Sequence, residues 1–114
     1  MEGFTNVGRT ADFINRKPKN LRLGGLDVIV LNLDGMMQAF ENNCPHQHFS
    51  ILHQGTIEDC TITCPMHGWT FDLKSGSSTN GNGRLRMRDV KILSDTVWVG
   101  NQSETQNYLL FDSE

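Results

Sequence analysis

The stretch Cys64–Asp72, which reads CPMHGWTFD, places a thiol and an imidazole three positions apart, at Cys64 and His67. Proline follows the cysteine and glycine follows the histidine. Proline restricts φ and donates no backbone hydrogen bond, whereas glycine lets the backbone come close to a bound group. The stretch therefore indicates a tight turn that presents one sulfur and one nitrogen ligand, and a complete site needs further ligands from elsewhere in the chain.

A matching pair lies earlier, at Cys44 and His46, with Pro45 between them. The full pattern is C-x-H, seventeen intervening residues and then C-x-x-H. Two cysteines and two histidines can hold a structural zinc ion, or a 2Fe–2S cluster with both sulfurs on one iron and both nitrogens on the other. Zinc fingers usually group the cysteines in one half and the histidines in the other. Because each half is mixed here, the pattern favours the cluster, with a structural zinc-binding module as the alternative.

Short strand signals fill most of the remaining sequence. Leu26–Leu33 and Met36–Phe40 are apolar runs separated by Asp34-Gly35, a dipeptide that favours a type I′ hairpin because that turn needs positive φ at both positions. A second hairpin is expected between Val90–Leu93 and Val97–Val99. Two shorter strands are predicted at Thr61–Thr63 and Trp69–Asp72. No window has a convincing helical period, so we expect an all-β fold of short antiparallel strands.

Composition limits the function classes. The 114 residues suit one small domain, and a formal net charge of -3 at pH 7 argues against nucleic-acid binding. No apolar run is long enough to span a membrane, and the first residues, MEGFTNVGRT, contain no apolar segment of a secretory signal. Three cysteines fit thiols that serve as ligands or stay free in a reducing compartment. We therefore expect a cytoplasmic protein that binds neither nucleic acid nor membrane.

The two turns carry a family resemblance. CPH at 44–46 and CPMHGW at 64–69 resemble the two cluster-binding loops of Rieske 2Fe–2S proteins, and FDLKSG at 71–76 resembles the segment that follows the second loop. The resemblance covers most of residues 4–100. It implies the Rieske fold, in which an antiparallel β-sandwich-like base carries a small two-loop cluster-binding subdomain.

The resemblance also implies domain bounds and ligands. It places the Rieske domain at 1–100, with the cluster-binding subdomain at about 43–73, and leaves a C-terminal tail at 101–114. One 2Fe–2S cluster is implied. The thiolate ligands of its inner iron would be Cys44 and Cys64, and the imidazole ligands of its outer, solvent-facing iron would be His46 and His67.

Several residues near the loops have more than one interpretation. His48 stands where the family usually has glycine, and we expect it at the surface or beside the ligands, with direct ligation as the alternative. We expect His53 to be exposed in a loop and Cys60 to be a buried, unreactive thiol. The apolar segment Tyr108–Phe111 (YLLF) should dock on its own domain, with a partner contact as the alternative.

Three arginines alternate at Arg84, Arg86 and Arg88. On a strand they would share one face, which we expect to be solvated, with steering of an acidic redox partner as the alternative. A small apolar docking rim is expected around the histidine ligands, formed by Pro45, Phe49, Pro65 and Met66.

The positions around the ligands predict a low reduction potential. High-potential Rieske proteins carry a disulfide between the loops, and Phe49 and Met66 stand at the matching positions here. They also place Ser and Tyr hydroxyls after the second loop, where this chain has Trp69 and Phe71. Hydrogen bonds to sulfur stabilise the reduced cluster, so the absence of these hydroxyls predicts a reduction potential of about -150 mV rather than about +300 mV.

The resemblance therefore implies a one-electron carrier and not an enzyme. A chain of this length is too short for an oxygenase catalytic domain. The expected donor is an NAD(P)H-linked flavin reductase, and the expected acceptor is a terminal oxygenase of the aromatic-ring-hydroxylating type. The alternative is a small Rieske subunit of a reductase such as nitrite reductase.

Overall fold

The computed structural model describes residues 3–43, 52–65, 68–80 and 83–103. Their regular structure consists of strands, as the sequence predicted, and of two short 3-10 turns, and none of them belongs to a helix long and apolar enough to cross a membrane. The turns are Thr10–Asp12 and Leu52–Gln54. The strands are β1 (Phe4–Arg9), β2 (Lys19–Leu23), β3 (Leu26–Leu33), β4 (Met36–Glu41), β5 (Thr56–Glu58), β6 (Thr61–Thr63), β7 (Thr70–Asp72), β8 (Met87–Leu93) and β9 (Thr96–Ser103).

The strands form two antiparallel sheets. Six of them make a base sheet in the order β1-β9-β8-β4-β3-β2, and three make a small sheet in the order β5-β6-β7. The small sheet lies in the chain between β4 and β8 and carries the CPMHGW turn between β6 and β7. This division agrees with the expected base and smaller subdomain.

The β3–β4 hairpin has the predicted turn. Asp34 and Gly35 have φ angles of 53° and 97°, and Leu33 pairs with Met36 on either side of them. The β8–β9 hairpin turns in the same way at Ser94 and Asp95. Its second strand, β9, continues to Ser103, so three residues that the sequence assigned to the tail belong to the base sheet.

Strand β3 is buried on both faces. Its residues Ile29 and Leu31 join a first core cluster with the small sheet, whereas Val28 and Val30 join a second cluster inside the base. Side chains alternate across a strand, so each face contributes to a different cluster. This explains the continuous apolar run in LDVIVLNL, because a strand with one exposed face would instead alternate apolar and polar residues.

The predicted solvated arginine face is wrong at Arg88. Arg84 and Arg86 are exposed, but Arg88 is only 6% exposed. Its Nη1 donates to Gly100 O at 2.9 Å, and its Nη2 lies 3.2 Å from Glu41 Oε2. Strand β8 begins only at Met87, so the alternation assumed from the sequence does not extend over all three arginines.

Candidate metal centre

Cys64 is fully buried at the end of β6. Its backbone N–H donates to Trp69 O at 2.7 Å, which closes residues 64–69 into a turn. Gly68 has a φ of +69°, a conformation that favours glycine. Thr63 and Thr70 face each other in register, and their hydroxyls lie 2.9 Å apart. The two described ends of the second predicted loop therefore lie close together, and its cysteine is buried in the core.

The other predicted ligands lie outside the described residues. Cys44 and His46 belong to residues 44–51, and His67 belongs to residues 66–67. The same holds for His48, Phe49, Met66 and the Tyr108–Phe111 segment. Their roles stay predictions. Within the described ranges, no three His, Cys, Asp or Glu side chains come together to hold a metal ion.

The flanks of the two loops meet in the first core cluster. Phe40, four residues before Cys44, and Leu52, the first described residue after the first loop, are both fully buried in the cluster that contains Cys64. Trp69 packs against the same cluster. The fold thus brings the chain on either side of the first loop to the buried thiol of the second. The sequence supplies two thiols and two imidazoles in these two loops, a donor set whose chemistry suits a 2Fe–2S cluster of mixed ligation.

His53 is not the exposed loop residue that the sequence suggested. It lies half-buried in the Leu52–Gln54 turn, and its backbone N–H donates to Asn42 Oδ1 at 3.2 Å. Its Nδ1 lies 3.0 Å from Asn42 Nδ2. The prediction failed because His53 and Asn42 are separated by the whole first loop, and no local sequence signal pairs them.

Asn80 holds the second loop from outside. Its Oδ1 accepts from Thr70 N at 3.0 Å, and its Nδ2 donates to Gly68 O at 3.1 Å. The side chain therefore bonds the backbone on either side of Trp69. Asn80 belongs to the polar, glycine-rich stretch Ser75–Gly83, and nothing in that stretch of sequence indicates this contact.

Cys60 was expected to be buried, but it is half-buried in the turn between β5 and β6. It packs against the first core cluster. The position at a turn, rather than within a strand, accounts for its partial exposure.

The chain is similar in sequence to one ferredoxin component and in fold to two solved structures. The ferredoxin component of the alkene monooxygenase system of Xanthobacter autotrophicus is 27% identical over 81 residues, which cover 70% of this chain and 66% of the relative, slightly less than two thirds of its length. The ferredoxin of carbazole 1,9a-dioxygenase from Nocardioides aromaticivorans superposes with a TM-score of 0.81 at 22% identity, covering 89% of this chain and all of that one. A protein assigned as the small subunit of an NADH-dependent nitrite reductase from Mycobacterium tuberculosis superposes with a TM-score of 0.77 at 18% identity. The superposition covers 84% of this chain and 92% of that one.

These structural likenesses establish the fold alone. The family follows from a separate match, in which the model of the Rieske 2Fe-2S domain covers residues 3–102. That range includes both cysteine–histidine pairs and, apart from Ser103, both sheets. The chain therefore belongs to the Rieske 2Fe-2S domain family, whose domain binds a single 2Fe–2S cluster.

Proposed function

We propose that this chain is a one-electron carrier in which Cys44, His46, Cys64 and His67 hold the cluster. The observation that carries the proposal is the burial of Cys64 in the first hydrophobic core cluster, where the flanks of the first loop also meet. When bound, a 2Fe–2S cluster takes up and releases one electron at a time. Four protein ligands complete its outer coordination, which leaves no position for a substrate.

The chain's own residues determine the surroundings of the cysteine sulfur. Cys64 lies in an apolar core, and the two positions after the second loop hold Trp69 and Phe71, neither of which has a hydroxyl. Fewer hydrogen bonds to sulfur disfavour the electron-rich reduced form. We therefore propose a reduction potential of about -150 mV, at the lower end of the Rieske range.

A low potential suits a carrier between an NAD(P)H-linked flavin reductase and a terminal oxygenase. Support for the oxygenase comes from the alkene monooxygenase ferredoxin component and from the fold of the carbazole dioxygenase ferredoxin. The proposed acceptor is an oxygenase of the aromatic-ring-hydroxylating type. The nitrite reductase small subunit shares the fold, so a reductase subunit is the second candidate.

Analysis of the purified protein tests the proposal. Iron and acid-labile sulfide in equal amounts, together with an EPR signal of mixed sulfur and nitrogen ligation after dithionite reduction, would support the cluster. Zinc alone would overturn it in favour of a structural module. A redox titration with a midpoint well above 0 mV would contradict the low potential. Stable co-purification with a large flavoprotein would favour the reductase subunit over the free carrier.

The proposed ligands can be tested singly. Cys64→Ser and His67→Ala should each lose the cluster, because each removes one of its four protein ligands. His48→Ala should keep the cluster, since His48 is not in the proposed set. Retention of the native EPR signal in His67→Ala, or its loss in His48→Ala, would contradict the ligand assignment.

A further inference from the structure

Asn42 connects the two ends of the first ligand loop. It follows β4 directly, precedes the proposed ligand Cys44 by two residues, and is 1% exposed. Its carboxamide contacts His53, just beyond the loop, and Asp27 in β3 of the base sheet. Its backbone N–H also donates to Asp27 O at 2.8 Å. One buried side chain thus joins the entry of the loop, its exit and the base.

The partners of Asn42 determine the orientation of its carboxamide. The backbone N–H of His53 can only donate, so the atom that faces it is Oδ1. An ionised Asp27 carboxylate can only accept, so the atom 3.0 Å from its Oδ2 is Nδ2. Two independent contacts therefore require the same orientation, and the ambiguity that usually attends an amide group is resolved.

This orientation in turn determines the tautomer of His53. Asn42 Nδ2 carries two hydrogens and cannot accept, so His53 Nδ1, 3.0 Å away, must accept. An imidazole whose Nδ1 accepts is neutral and carries its proton on Nε2. A proton on Nδ1 would place two donors against each other inside a buried contact.

We infer that Asn42 is a positioning residue for the first ligand loop and that it acts through His53 held as the neutral Nε2–H tautomer. The inference rests on the proposed ligand set, since Cys44 and His46 lie within the loop that Asn42 closes. The hydrogen bonds between Asn42 and His53 fix the separation of the two residues that flank the loop. The same contact anchors Leu52 in the core cluster of Cys64, so the exit of the first loop stays beside the thiolate of the second.

The tautomer can be measured in the wild-type holoprotein without any substitution. Nitrogen-15 NMR of the His53 ring, assigned by comparison with His53→Asn, should show an unprotonated Nδ1 and a protonated Nε2 at neutral pH. In Asn42→Asp, the carboxylate would favour a donor at Nδ1, so the ring should become doubly protonated or change tautomer. A wild-type ring protonated on Nδ1 would overturn the inference.

The positioning role is tested on the cluster itself. His53→Asn keeps an amide oxygen near the position of Nδ1, whereas His53→Leu removes the acceptor. His53→Leu removes the hydrogen bond between Asn42 Nδ2 and His53 Nδ1, and Asn42→Ala removes that bond together with those to Asp27 Oδ2 and the His53 N–H. We expect both variants to lose the 2Fe–2S cluster to a chelator about tenfold faster than wild type, with a broadened EPR signal, because these hydrogen bonds no longer hold the ends of the loop together. His53→Asn should restore most of the wild-type behaviour, which a residue needed only for packing volume would not show.

Asn20→Ala is the matched control, because Asn20 reaches the same Asp27 carboxylate from the exposed side at 3.5 Å. It should leave both the EPR line shape and the rate of cluster loss unchanged. Wild-type line shape and cluster retention in His53→Leu and Asn42→Ala would overturn the positioning role. A wild-type protein without the 2Fe–2S cluster would instead overturn the proposed function, and with it the positioning role of Asn42 at the first loop. The NMR result would still decide the tautomer of His53.

Discussion

Gly55 lies against the carbonyl of Thr63 so closely that a Cβ at Gly55 would stand 2.6 Å from that oxygen. The same Cβ would lie 3.0 Å from Leu52 O. Gly55 therefore allows the turn that follows the first ligand loop to pack directly on the strand that ends beside Cys64. Both obstructing atoms belong to the backbone, so neither can move aside cheaply.

Gly55→Ala should destabilise the fold by about 1–3 kcal/mol, the usual range for an overpacked core position. It should also speed loss of the cluster, because the backbone before Cys64 must shift. Thermal unfolding and chelator challenge would measure the two effects. Gly100→Ala is the control, since its Cβ would meet Asp89 Cβ at an ordinary 3.5 Å. Equal stability of the two variants would refute the close approach.

Asn80→Ala should expose the amide of Thr70 to exchange. The backbone N–H of Thr70 donates to Asn80 Oδ1. The neighbouring hydrogen bond, from Cys64 N to Trp69 O, links the two backbones directly. Losing the Asn80 acceptor should raise the hydrogen-exchange rate of the Thr70 amide by about tenfold. Thr79→Val serves as the control, because its hydroxyl makes only a 3.4 Å contact with Thr70 O. Unchanged exchange in Asn80→Ala would show that Asn80 does not hold the loop.

Arg88→Met should be strongly destabilising, by about 3–5 kcal/mol, because it leaves Glu41 without its cation in a largely buried site. Glu41→Gln should cost less, since a neutral oxygen can still accept from Arg88. The double variant Arg88→Met with Glu41→Met should recover part of the loss, because no charge is left unpaired. Urea unfolding of the three variants tests this order. A loss below about 1 kcal/mol for Arg88→Met would mean that the pair contributes little, as exposed pairs do.

Asp34 predicts a specific dependence of stability on pH. The hydrogen bond from Arg16, followed by that from Asn15, holds the pKa of Asp34 below its ordinary value. A lowered pKa in the folded state adds stability above the unfolded pKa, and this is lost as the pH falls through the folded value. Asp34→Asn should therefore be less stable than wild type at neutral pH and equally stable at strongly acidic pH.

Asparagine also tolerates the positive φ of this turn position, so the substitution isolates the charge. Asp95→Asn is the matched control at the other hairpin turn, because Asp95 forms no ion pair with any described residue. Unfolding curves across pH measure both variants. A difference between wild type and Asp34→Asn that persists at acidic pH would contradict the prediction.

The sequence predicts the features that depend on neighbours along the chain. Asp34-Gly35 supports positive φ at two successive positions, and the hairpin follows from that local preference. The positive φ of Gly68 in the CPMHGW segment is similarly local, since glycine adopts it without a steric cost. The motifs CPH and CPMHGW also resemble those of the Rieske family, and the domain match then established that family.

Features that depend on distant residues could be read only from the tertiary structure. Arg88 appeared to be one of several surface arginines, but Gly100 and Glu41 approach it only after the base sheet forms. His53 was expected to be an exposed loop residue, but in the folded chain it is hydrogen-bonded to Asn42. A buried polar group must find a partner or pay a desolvation cost, and the partner is available only in the assembled fold. Local backbone preferences thus determined the hairpin turns, whereas burial and long-range hydrogen bonds decided which polar side chains support the fold.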